Sequence, residues 1–161
     1  MLGEFLADRG IENYLVDIGG EVAGKGKKPD GSSWLVGIEN PASDSLSERT
    51  VNTKIRLSNK AVSTSGNYRK YREENGQRYS HTIDPESGYP VQHNLLSVTV
   101  LANDCATADG YATAFMVMGF EKAKEFIESH SGLDAFFILS EGSGLYTTYA
   151  TEGFEEIIVR K

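Results

Sequence analysis

The sequence predicts an α+β domain with a mostly antiparallel sheet and a helix pair. Strand-like segments come first, two consecutive amphipathic helices follow, and strand-like segments return at the end. That order segregates helices from strands, where a parallel βαβ fold would alternate them. A dinucleotide-binding fold is therefore a poor reading despite the glycines. The 161 residues fit one domain, residues 1–161, long enough to bury a core.

The elements follow in order. Leu2, Phe5 and Leu6 share one side of a helix that Gly10 stops. The stretch reads as the second half of an amphipathic helix, so the chain is expected to begin mid-protein. It is acidic and has no basic stretch leading into an apolar run, so it does not read as a signal peptide. Asn13 to Ile18 reads as a buried strand ending on Gly19-Gly20, and Lys25 to Lys28 as a solvated hairpin tip. Trp34 to Glu39 is strand-like, and Pro41 to Ser45 is a loop. Lys54 to Leu57 and Ala61 to Thr64 are strands about a turn at Ser58-Asn59. Tyr68 to Arg78 is polar and reads as exposed. Two prolines and a glycine make Asp84 to Pro90 a loop.

Leu95 to Ala102 is a strand. Ala106 to Met118 is a helix with apolar residues at three- and four-residue steps, closed by Gly119. Phe120 to His130 is a second helix with Ala123, Phe126 and Ile127 inward. Ala135 to Leu139, Gly144 to Ala150 and Ile157 to Arg160 read as closing strands, with a turn at Gly142 to Gly144.

Bulk properties narrow the function. A net charge of −7 argues against a nucleic-acid binder, which needs a basic stripe. No apolar stretch approaches the roughly 20 residues that span a bilayer. The single cysteine, Cys105, forbids an internal disulfide and a cysteine-rich zinc site, and reads as a packed small residue.

Four segments carry chemistry. Val16 to Glu21 places two glycines after a strand; this is a plain tight turn or a close approach of backbone to a ligand. Ser63-Thr64-Ser65-Gly66-Asn67-Tyr68 gathers hydroxyls, a glycine and an amide at a strand end, either a polar turn or a cradle for phosphate or ribose. His81 sits where a strand runs into the stiff Asp84–Pro90 loop, placed to present a side chain at a cleft or to serve as a hydrogen-bonded structural residue. His93 and His130 lack such context and read as surface residues. Asp109 and Thr113 lie four apart on a helix, so both oxygens leave one face. A carboxylate with a hydroxyl suits magnesium that keeps waters and substrate phosphate. An aspartate favoured by a helix N-terminus is the alternative.

Together these segments resemble the ApbE family of flavin transferases. The resemblance rests on Asp17-Ile18-Gly19-Gly20-Glu21, Trp34 to Pro41, Ser63 to Tyr68, His81 to Gly88 with Tyr89-Pro90, and Ala108-Asp109 with Ala112-Thr113. It runs from Asn13 to the final strand and implies an ApbE-like, T-fold-like domain. It implies magnesium as cofactor, with Asp109, Ala112 and Thr113 at the metal. Ser65, Gly66, Tyr68 and Ile83 would meet the flavin substrate, FAD, and His81 would be catalytic. The implied reaction attaches FMN from FAD to a threonine of an acceptor protein, a subunit of a membrane redox complex, and releases AMP. FAD hydrolysis by the same chemistry, or flavin binding without turnover, are the alternatives. Family members carry an N-terminal half with a Lys-Gly motif, a metal ligand and much of the flavin pocket, so this chain is expected to correspond to the C-terminal half, to bind magnesium and FAD poorly and to be inactive alone. The family's usual place is outside the cytoplasm, membrane-anchored, often as a lipoprotein.

Overall fold

The computed structural model describes residues 2–39, 51–67, 71–74, 77–142 and 145–160, with backbone alone for 51–52, 71–74 and 77–79. The chain opens with helix α1 (Leu2–Ala7) and strands β1 (Tyr14–Ile18), β2 (Glu21–Lys25), β3 (Trp34–Glu39), β4 (Val51–Leu57) and β5 (Lys60–Gly66). The short strands β6 (Tyr71–Glu74) and β7 (Gln77–Ser80) follow, then β8 (Leu95–Ala102). Helices α2 (Cys105–Met118) and α3 (Phe120–Ser129), strands β9 (Asp134–Gly142) and β10 (Leu145–Ala150), and the single turn of helix α4 (Glu152–Glu155) complete it.

The main sheet has six strands in the order β1-β2-β5-β8-β9-β10, every neighbour antiparallel. β3 pairs with β4, and β6 with β7, in separate two-stranded ribbons. The expected α+β class with a mostly antiparallel sheet is what the structure has.

Both faces of the sheet centre are covered, which explains the nearly unbroken apolar runs in β8 and β9. Side chains alternate along a strand. Phe137 and Leu139 therefore face Ala112, Phe115 and Met116 of α2 with Ala123 and Ile127 of α3. Phe136 and Ile138 point the other way, toward Ile38, Ile55 and Leu57 of the β3–β4 ribbon and Phe154 of α4. The result is three layers: helix pair, sheet, ribbon.

Capping places α2. Asp104 is its N-cap, and its carboxylate accepts from Thr107 N at 2.9 Å and from Thr107 Oγ1 at 2.8 Å. Those two donors hold the Asp104 carboxyl below its ordinary range. Gly119 ends α2 and starts α3 at φ 75° and ψ 171°, a region that essentially only glycine adopts.

Several expectations are corrected. The sequence reading has no strand between Gly19-Gly20 and Lys25 to Lys28, where the structure places β2. A Cβ on Gly24 would stand 3.2 Å from Leu57 Cγ and 3.4 Å from Trp34 Cδ1, so glycine there lets the ribbon close onto the sheet. β1 is an edge strand and not buried: Ile18 is 60% exposed. The neighbouring strands β4 and β5 do not pair with each other; the chain crosses between layers at Ser58-Asn59, with Asn59 at φ 53°. The polar stretch Tyr68 to Arg78 carries β6 and the start of β7, which pair with each other, and its side chains lie outside the described residues. Ile157 to Arg160 is no strand. It follows α4 and touches β4 through Arg56 N to Ile157 O and Val159 N to Lys54 O, both 2.8 Å, and one bridge, Ile55 to Ile158. His93 is half-buried: Nδ1 accepts from Leu95 N at 3.3 Å and Nε2 lies 2.8 Å from Met116 O. Only a neutral ring with its proton on Nε2 serves both partners. His130 is exposed, as expected, and stacks on Phe126 at 3.9 Å between centroids. The Pro41–Ser45 loop, and Ser143-Gly144 of the expected turn, lie outside the described residues.

Candidate active site

Two periodicities meet on the helix side of β5. Ser63 and Ser65 are two apart on a strand and share a face; Asp109 and Thr113 are four apart on α2 and share a face. The Ser63 hydroxyl donates to Asp109 Oδ1 at 3.2 Å. Ser65 Oγ and Thr113 Oγ1 lie 3.3 Å apart. One carboxylate and three hydroxyls thus form two successive rungs between strand and helix. Asp109 and Thr113 are exposed, whereas Ser63 is only 2% exposed. Ala112, between the two helix residues, buries its methyl in the core with Phe115 and Met116. Thr64 faces the other way and shares a 2.8 Å hydrogen bond with Thr99.

A cleft of about 940 Å³ opens at the second rung, and Ser63 and Asp109 are not among its lining residues. Ser65, Gly66 and Thr113 line it, together with His81, Gly19 and Gly20. Gly19 and Gly20 form the two-residue turn between β1 and β2, both with positive φ (72° and 110°), which a primed hairpin turn requires. Asp17 accepts from Gly20 N at 3.2 Å and steadies that turn. The glycines therefore make a tight turn, and that turn forms a wall of the cleft.

His81 lies just past the end of β7, exposed, where the chain enters the stiff loop. That loop is tied across its neck by Val91 N to Thr82 O at 3.0 Å and Asp84 N to Tyr89 O at 2.9 Å. Inside it, Asp84 accepts from Glu86 N at 3.0 Å and Ser87 Oγ at 2.8 Å. These donors hold the Asp84 carboxyl below the usual range. His81 and Thr82 are thereby presented to the cleft from a fixed frame. Ile83, 48% exposed, sits beside them on the loop and is not among the lining residues. Tyr68 lies outside the described residues.

The electrostatics near α2 are acidic. Burial, then the carboxylates of Glu21, Asp104 and Asp109, push the Cys105 thiol up from its ordinary pKa. A raised thiol is a poor nucleophile near neutral pH, which agrees with Cys105 as a packed residue. The same carboxylates make the surface around the start of α2 acidic.

The donor set passes a test for magnesium. It offers a carboxylate and hydroxyls, all hard oxygens, on an accessible face. Among the described residues no three His, Cys, Asp or Glu side chains converge on one point. So sparse a set suits an ion that keeps waters and takes phosphate oxygens.

A family model described as "ApbE family" matches residues 1–137. The chain belongs to the ApbE family. It is 41% identical over 160 residues to a FAD:protein FMN transferase of Haemophilus influenzae, covering 99% of this chain and 45% of that one. A FAD:protein FMN transferase of Vibrio cholerae is 40% identical over 158 residues. Among solved structures, the flavinyl transferase ApbE of Pseudomonas stutzeri superposes with a TM-score of 0.77 at 42% identity, covering 96% of this chain and 47% of that one. The flavin transferase ApbE of Vibrio cholerae superposes at 0.80, covering 97% and 48%. The chain thus spans about half the length of the ApbE relatives it matches.

Sequence reasoning read Ser63 as one hydroxyl among several and did not pair it with Asp109. It also passed over Val36, Thr82 and Thr99, which line the cleft. Alternation along β5 places Ser63 and Ser65 on one face, but the partner across from them depends on the packing of a helix over 40 residues away.

Proposed function

We propose that this chain carries the metal and pyrophosphate side of a magnesium-dependent FAD:protein FMN transferase site. The observation that supports it most directly is the pair of rungs, Ser63–Asp109 and Ser65–Thr113, the second of which lines a cleft that His81 also lines. Asp109 and Thr113 would hold the ion, with the backbone carbonyl of Ala112 as the further candidate from the family resemblance. The chemistry that magnesium supplies when bound is neutralisation of charge on the FAD pyrophosphate.

The protein's own groups do the remainder. Ser65 and the backbone at Gly66 line the cleft where phosphate or ribose oxygens need small donors. The Gly19-Gly20 turn brings backbone close without a side chain in the way. His81, held by the tied loop, takes the proton that an attacking hydroxyl gives up, or donates to a pyrophosphate oxygen. In the overall exchange a threonine oxygen of the acceptor protein forms a bond to the FMN-side phosphorus. The pyrophosphate P–O bond breaks, and AMP carries away the electron pair. Positioning and charge neutralisation supply most of the rate.

The test is to incubate the chain with FAD, magnesium and a threonine-bearing acceptor peptide. Phosphoester-linked FMN on the peptide with stoichiometric AMP supports transfer. AMP with free FMN replaces transfer by hydrolysis. FAD bound without AMP release leaves a flavin-binding module.

A further inference from the structure

We propose that Ser63 is a positioning residue: it decides which oxygen of Asp109 is offered to the metal. The inference rests on the reading of Asp109 as a magnesium ligand. Asp109 stands on an exposed helix face, where a lone aspartate samples several rotamers and loses entropy when an ion fixes one. Ser63 removes part of that freedom in advance. A carboxylate only accepts, so the hydrogen bond of 3.2 Å runs from the serine hydroxyl to Asp109 Oδ1. Ser63 is 2% exposed, so its hydroxyl cannot exchange Asp109 for bulk water at no cost. Its backbone is held in mid-sheet, at the register position opposite Val100 of β8 and next to Val62, which pairs with Val22 of β2. The donor is therefore fixed by the sheet, Oδ1 is tied to it, and Oδ2 is left for the ion.

The second rung obeys the same logic. A threonine oxygen that gives a lone pair to a cation must direct its proton elsewhere, and Ser65 Oγ is 3.3 Å from Thr113 Oγ1. β5 thus acts as a rigid template that orients both helix side chains. Partners of this outer kind typically carry about 10- to 100-fold in metal affinity.

The experiment measures manganese(II), a paramagnetic stand-in for magnesium, by electron paramagnetic resonance titration of the chain in the presence of FAD. Ser63→Ala is expected to weaken binding about 10-fold, and Ser63→Thr, which keeps the hydroxyl, to bind like the parent. Ser63→Val has the shape of threonine without its hydroxyl and is expected to match Ser63→Ala. Equal affinity of the threonine and valine variants overturns the proposal, as does failure of all three to fold by thermal melting, which would make Ser63 purely structural. Asp109→Ala separates the two levels. If it binds manganese as well as the parent, the metal reading itself falls. If it loses binding while Ser63→Ala does not, only the positioning role falls.

Discussion

Ser63 on β5 and Asp109 on α2, 46 residues apart in the chain, are joined by one hydrogen bond of 3.2 Å. A buried hydroxyl donor is satisfied by an exposed carboxylate, so this contact couples the sheet to the candidate metal site beside the Ser65–Thr113 rung. Removing either side has consequences for the other.

Asp109→Ala should abolish metal-dependent turnover, because it removes the one charged oxygen donor of the two rungs. It should also cost roughly 1–3 kcal/mol of stability without any metal, since the buried Ser63 hydroxyl loses its acceptor. Turnover at limiting magnesium and urea unfolding in chelator test the two halves. Unchanged activity would remove Asp109 from the site.

His81→Ala should lower kcat more than it weakens FAD binding. A group that handles a proton or developing charge acts in the transition state more than in the ground state. Steady-state kinetics beside FAD fluorescence titration give the split. A pure binding defect with normal kcat would make His81 a ligand contact only.

Gly119→Ala should destabilise the fold by about 1–3 kcal/mol, the cost of a non-glycine residue in this backbone region. The new Cβ would also come within 3.1 Å of His93 Cδ2. The imidazole that bridges Met116 and Leu95 would have to shift, loosening the seam between α2 and β8. Thermal unfolding reads the loss, and a melting temperature equal to the parent's would show that the α2–α3 junction relaxes freely.

Acid should unfold the protein partly through Asp104. Its folded-state pKa is depressed, chiefly by the Thr107 N–H and hydroxyl. A depressed acid adds stability above its unfolded pKa and loses it as pH falls from about 3.8 through the lower folded value. Asp84 acts in the same direction, through Glu86 N and Ser87. Asp104→Ala should cost about 1 kcal/mol near neutral pH and flatten stability against pH below 4. A parallel pH curve for the variant would deny the cap this role.

Local physics made much of this protein legible from its sequence. The 3.6-residue period places Asp109 and Thr113 on one face of α2, and Gly119 marks that helix's end. A short apolar, β-branched run marks β8, while Gly19-Gly20 and the two prolines before Val91 mark turns. Each of these depends on residues a few positions apart, so a linear reading sees it. Tertiary structure alone decided who neighbours whom. β5 lies between β2 and β8 and not beside β4, because burying both faces of the sheet requires the β3–β4 ribbon to leave it and cover it. The need for glycine at position 24 shows only once Leu57 and Trp34 are packed against it. Ile157 to Arg160 has strand composition, yet after α4 it finds only two backbone hydrogen bonds on β4. Ser63 meets Asp109 for the same reason: a side chain's face is set by its neighbours in sequence, but the group it faces is set by which distant surfaces exclude water together.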